Sequence, residues 1–138
     1  MRSLALALGG LAVDGYLGIV IEESLADRGA VSDLDVVARK PHGAWGFLLV
    51  RVGADRLESA IRALQGAMAR DDTWYAHFFR GEELVVVYRD RVFFMRTDPA
   101  SWTPAVEYGM ARGVPVEQLD YHPRTRGDAL AFFNVPPM

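Results

Sequence analysis

With 138 residues, 51% of them hydrophobic and 24% charged, the chain has the length and composition of one globular domain, outside the low-hydropathy, high-charge class that stays disordered. A net charge of −3 removes any general attraction to phosphate backbones or anionic lipid, so neither nucleic acid nor a membrane is expected as a partner. The lack of cysteine excludes disulfides, thiolate nucleophiles and cysteine-ligated zinc or iron–sulfur centres.

Residues 1–15 open with Arg2 and a short apolar run, Leu4-Ala5-Leu6-Ala7-Leu8-Gly9-Gly10-Leu11-Ala12-Val13. The run is well short of the roughly 20 apolar residues of a spanning helix. Residues 1–12 have the charge and apolar length of a minimal secretory signal, which would make the protein secreted. The reading adopted is an N-terminal extension to a cytoplasmic protein whose domain starts at residue 16.

Residues 16–22, Tyr-Leu-Gly-Ile-Val-Ile-Glu, form a β-rich run and predict the first strand. Residues 24–34 are polar, contain Gly29, and fit either two turns of helix or a loop. Residues 34–39 and 45–52 read as a hairpin around Pro41-His42-Gly43, because proline and glycine favour turns on steric grounds. From Asp55 the period changes. Leu57, Ile61, Leu64 and Met68 form one stripe of a helix over 55–69, with Asp55 as N-cap and Glu58 placed to reach back to it.

Residues 74–79, 84–88 and 92–95 are dense in aromatic and β-branched side chains and predict a three-strand meander, with residues 85–87 in a central strand. Gly81-Glu82 suits a type II′ turn that sets Arg80 against Glu83. Beyond the meander, Asp98-Pro99 and Thr103-Pro104 each offer a cap followed by proline at the first helical position. They predict a short turn and then a helix over 104–112 that Gly113 ends. Val114-Pro115 starts a further turn, and residues 122–138 form an aperiodic tail. The order predicts an α+β domain over 16–121: a ferredoxin-like βαββαβ unit with a mainly antiparallel sheet, extended by a C-terminal β-meander and helix.

Counting along the meander places Tyr75, His77, Phe79, Leu84, Val86 and Tyr88 on one face and Trp74, Ala76, Phe78, Val85 and Val87 on the other. The second turn leaves the assignment of Phe93 and Phe94 open between the two faces. Both faces are too apolar to meet water, so helices are expected on one and a second protomer or a ligand space on the other. The expected partners are therefore further copies of the chain in a homo-oligomer and a small-molecule ligand.

Tyr75, His77 and Tyr88 are the candidate ligand-binding set, with His77 the candidate acid/base if there is catalysis. Burial among aromatics would lower the His77 pKa, and a carboxylate such as Glu107 or Asp120 would reverse the shift. Asp120 and His122 lack a third ligand, so no metal site is expected, and His42 is expected to face solvent from its turn. Arg80, Arg89, Arg91 and Arg96 sit among Glu82, Glu83 and Asp90 and read as turn-side salt bridges, while Asp71-Asp72 reads as a solvated turn. No phosphate loop, dinucleotide fingerprint, serine elbow or histidine–glutamate zinc helix is present, and no cofactor is expected.

Tyr108-Gly109, Gly113, Pro115 and Gln118-Leu119-Asp120-Tyr121 resemble the closing signature of a family of small prokaryotic α+β proteins. Upstream, Gly18-Ile19-Val20 with Glu23-Ser24-Leu25, Trp74-Tyr75-Ala76 with Phe78, and Tyr88-Arg89-Asp90-Arg91-Val92-Phe93 are similar to its other blocks. The resemblance spans residues 16–121 and implies no activity. The leading expectation is a non-catalytic small-molecule-binding or regulatory module. A cofactor-independent enzyme using His77 on a small apolar or aromatic substrate comes next, and a protein-interaction domain third.

Overall fold

A computed structural model describes residues 15–136. Six strands form one sheet in the order β2-β3-β1-β4-β5-β6, with every neighbouring pair antiparallel. They are β1 (Tyr16–Ile21), β2 (Asp35–His42), β3 (Trp45–Val52), β4 (Tyr75–Arg80), β5 (Glu83–Tyr88) and β6 (Arg91–Arg96). The described helices are α1 (Leu57–Ala67), α2 (Thr103–Ala111) and α3 (Arg126–Phe132). The α+β class and the antiparallel sheet agree with the sequence reading, and β5 lies inside the sheet.

On one face α1 lays down the stripe that its period predicts. Leu57, Ile61 and Leu64 are buried, as is Met68 just past its end. They meet Val20, Leu48, Val50, Ala76, Phe78, Val85 and Val87 from the alternate positions of four strands. A fully buried Leu or Val side chain contributes about 1.5–3 kcal/mol, so this layer carries much of the stability. It is also tight: a Cβ on Gly18 would fall 2.4 Å from the Phe78 ring, across the pair that joins β1 to β4.

The opposite face is covered by the chain's own C-terminal segment. Trp102, Ala105, Val114, Leu119, Tyr121, Ala129, Leu130 and Phe133 bury Leu17, Ile19, Phe79, Leu84, Val86 and Tyr88. The apolar surface that pointed to a second protomer is thus already occupied. The two-residue turn Arg89-Asp90 settles the open register: Val86 pairs with Phe93 and Val85 with Phe94. Phe93 joins the covered face, while Phe94 emerges 74% exposed beyond the reach of α1.

Several local expectations give way. The first crossover is not an α-helix but two 3₁₀ segments, Glu22–Ser24 and Arg28–Asp33. Together with the two strands added at one edge, it makes the sheet differ from a plain four-stranded βαββαβ unit. Strand β2 continues through Pro41 and His42, and the turn is Gly43-Ala44, with Gly43 at φ 62°. An edge strand tolerates the missing proline N–H. Asp55 does not cap α1, because a 3₁₀ turn, Ala54–Arg56, leads into the helix instead. Residues 122–136 are no loose tail: Thr125 caps α3 by accepting from the Asp128 N–H at 3.2 Å, and the helix packs into the core.

Candidate functional site

Between the sheet and the C-terminal segment lies a cleft of about 250 Å³. Its floor is Ile19 and Ile21 of β1 with Phe47 of β3, neighbours because Ile21 pairs with Phe47. Trp45, at the start of β3, meets Trp74 edge to face, with ring centroids 5.5 Å apart, and together they form one wall. Phe132 of α3 closes another side and packs against Phe47, His42 and His122 at 5.6, 5.4 and 6.0 Å. All three histidines of the chain, His42, His77 and His122, line this single space, together with the carboxylates Glu117 and Asp120.

His77 projects from β4 and is 3% exposed. Its Nε2 lies 2.8 Å from the Pro123 carbonyl oxygen. A carbonyl can only accept, so the proton sits on Nε2 and Nδ1 is the acceptor of a neutral ring. Burial lowers its pKa to about 4, against smaller opposing effects of that hydrogen bond and of Asp120. Desolvation thus decides the sign that the sequence left open. Glu107 is not among the groups acting on the ring.

Tyr75 shares the cleft, and its hydroxyl donates to the Gln118 carbonyl oxygen, tying β4 to the C-terminal segment. Tyr88 stands behind it at 5.8 Å and donates to the Ala105 carbonyl oxygen at 3.3 Å. Tyr88 is therefore close to Tyr75 but not on the cleft surface. Burial raises the pKa of both phenols. Tyr121 holds the segment down: its ring packs on Trp102, Tyr75 and His77 at 5.0, 5.4 and 6.2 Å. Its backbone adopts φ 51°, a left-handed conformation that a bulky residue keeps only when packing enforces it. The two residues beside it, Asp120 and His122, face the cleft as a result.

A Cβ on Gly109 would lie 2.5 Å from the Tyr88 hydroxyl, so this glycine lets α2 approach the sheet, and Gly113 follows the end of α2 with φ 92°. Comparison with protein-family models, with curated proteins and with solved structures found no match to this chain.

Among the described residues, no three histidine or carboxylate side chains converge closely enough to hold a metal ion. None of the described helices is long and apolar enough to cross a membrane. Arg80 and Arg96 pair with Glu83 and Glu82, while Arg91 lies over the Phe93 ring at 4.8 Å. The residues that sequence reasoning missed are Trp45, Trp74, Phe47, His42 and Phe132. Trp45 and Phe47 were legible as alternate positions of β3, but nothing in the sequence aligned that strand with β1, and α3 had no period to announce it.

Proposed function

We propose that the protein is a small-molecule-binding module whose site is the cleft between β1, β3, β4 and the C-terminal segment, and that its ligand is a planar aromatic molecule with polar edges. The carrying observation is the convergence of Trp45, Trp74, Phe47, Phe132 and three histidines on one open space. Its volume exceeds the roughly 150 Å³ that holds a benzene ring in an engineered cavity. Indole and phenyl walls supply stacking area, and imidazoles with Glu117, Asp120 and Thr73 supply hydrogen bonds at the edges.

Catalysis by His77 is the second reading. Its fixed tautomer, with Nδ1 as acceptor, suits a general base, but a pKa of about 4 gives little driving force for proton abstraction at neutral pH. That difference favours binding over chemistry. The order β2-β3-β1-β4 with antiparallel neighbours supports a ferredoxin-like core whose first helix has become 3₁₀ turns. With both sheet faces covered, a ligand-binding role does not depend on a homo-oligomer.

Indole is a suitable probe. Titration followed by NMR should give saturable shifts of the Trp45 and Trp74 side-chain N–H signals, and Trp45→Ala or Phe132→Ala should weaken binding severalfold. Shifts that rise linearly without saturation, or variants that bind as the parent does, would overturn the proposal.

A further inference from the structure

A second cleft of about 200 Å³ lies on the other side of Trp74. Thr73 and Trp74 line both spaces. Three arginines line it, Arg70, Arg89 and Arg112, together with the acidic residues Asp72 and Asp90. None of the three takes part in the five ion pairs found among the described residues, whereas Arg39, Arg51, Arg62, Arg80 and Arg96 all do.

Two of these cations are held in place by contacts that leave donors free. Arg89 gives its Nη1 to the Gln65 and Met68 carbonyl oxygens at 2.8 and 3.2 Å, at the end of α1. Among the described residues its Nε and Nη2 meet no acceptor. Arg112 stacks 4.4 Å over the Tyr108 ring, an arrangement that orients the guanidinium plane without using its N–H edge. Asp72 accepts from the Thr73 N–H at 2.8 Å, so part of its acceptor capacity is spent on its own turn. A polar recess with surplus, pre-positioned guanidinium donors suits a multiply charged oxyanion, because each donor is ordered before the anion arrives.

We infer that this recess, bounded by Arg70, Arg89 and Arg112, is a phosphate-binding site. It stands on these contacts and does not depend on the aromatic cleft. The phosphate is either free or carried by a ligand whose ring occupies the cleft across Trp74.

The test is titration of the full chain at constant ionic strength with inorganic phosphate and, separately, phenyl phosphate, read on the Thr73 amide and the Trp74 side-chain N–H. Saturable shifts are expected with both. Arg70→Gln/Arg112→Gln, which keeps the Arg89 contacts to α1, should weaken them about tenfold or more, since charged hydrogen bonds are lost. Arg89→Gln should do the same. Tighter binding of phenyl phosphate, with the gain removed by Trp45→Ala, identifies a phosphate attached to an aromatic ligand; equal binding of the two identifies free phosphate. No saturable shift with either probe, or unchanged binding in both sets of arginine variants, would overturn the site.

Discussion

Val20, Leu48, Val50, Leu64 and Val85 fill the α1 face of the sheet with side chains of regular shape, whereas the other face is packed by Trp102, Tyr75, Tyr88, Tyr121, His77 and Phe133 beside an open cleft. The difference follows from what covers each face. A helix with a single apolar stripe meets a pleated surface along its length and packs against it closely. The C-terminal segment is two short helices joined by turns, with no continuous stripe. Large rings bridge the irregular spacing, and where they fail to fill it a cleft remains. The polar tips buried on that side find their partners in backbone carbonyl groups of the covering segment. Ala105, Gln118 and Pro123 supply such groups to Tyr88, Tyr75 and His77.

The comparison is most exposed to core truncation. Leu64 is fully buried at the middle of the α1 stripe, and Leu64→Ala should cost about 3–5 kcal/mol in urea denaturation. Phe132, half-buried at the cleft edge, should cost less than half as much despite its larger ring, because its truncation opens onto space already present. Equal losses would mean that the two faces are packed alike.

A second test uses pH. Folding holds the His77 pKa at about 4, below the unfolded value near 6.5. As pH falls through this interval the unfolded chain takes up a proton that the native one does not, and stability drops by about 1.4 kcal/mol per pH unit. The contribution is complete above pH 6.5 and is lost by pH 4. Glu23 and Glu83 have lowered pKa values, so their losses set in at more acid pH. Between pH 7 and 5, His77→Gln should therefore flatten the slope, removing about 2 kcal/mol of pH dependence. An unchanged slope would show that the imidazole is solvated and that the cleft face is no drier than the surface.

How far each face could be read from sequence follows the same division. The α1 face was legible because Leu57, Ile61, Leu64 and Met68 repeat at the helical period and the alternation in residues 75–88 fixes the strand faces, whereas Trp74, counted onto the α1 face, precedes β4 and lines the cleft on the other side. The Arg80–Glu83 neighbour pair followed from Gly81, which adopts φ 55°. Tyr75, His77 and Tyr88 could be placed on one face by counting. Their surroundings could not, since Trp45 reaches Trp74 only through the pairing of β3 with β1 and β1 with β4, which no local signal encodes. Helix α3 went unseen because Thr125 caps a helix of only seven residues, too short for its period to show among prolines. The first crossover failed for the opposite reason. Its polar composition allowed helix or loop, and the packing of Leu25 and of the backbone against the end of α1 selected 3₁₀ turns, with the Ala26 N–H donating to the Ala67 carbonyl oxygen at 2.8 Å.

The finest test concerns one oxygen atom. The Tyr121 hydroxyl is buried and has no hydrogen-bond partner of good geometry among the described residues, although the Tyr88 hydroxyl is close enough to act on its ionisation. Burial pushes its pKa up to about 12. An unsatisfied buried hydroxyl opposes folding, since it gives up water without replacement. Tyr121→Phe keeps the ring that packs on Trp102, Tyr75 and His77 and deletes only this oxygen. The variant should therefore be as stable as the parent or more stable, by up to about 1 kcal/mol. Tyr75→Phe is the matched control, because it strips the Gln118 carbonyl oxygen of its donor and should destabilise by about 1 kcal/mol. If Tyr121→Phe instead loses as much as Tyr75→Phe, the two phenols belong to one satisfied network with Tyr88. The aromatic face would then be as fully bonded as the α1 face is fully packed, and the contrast between them would be confined to the cleft itself.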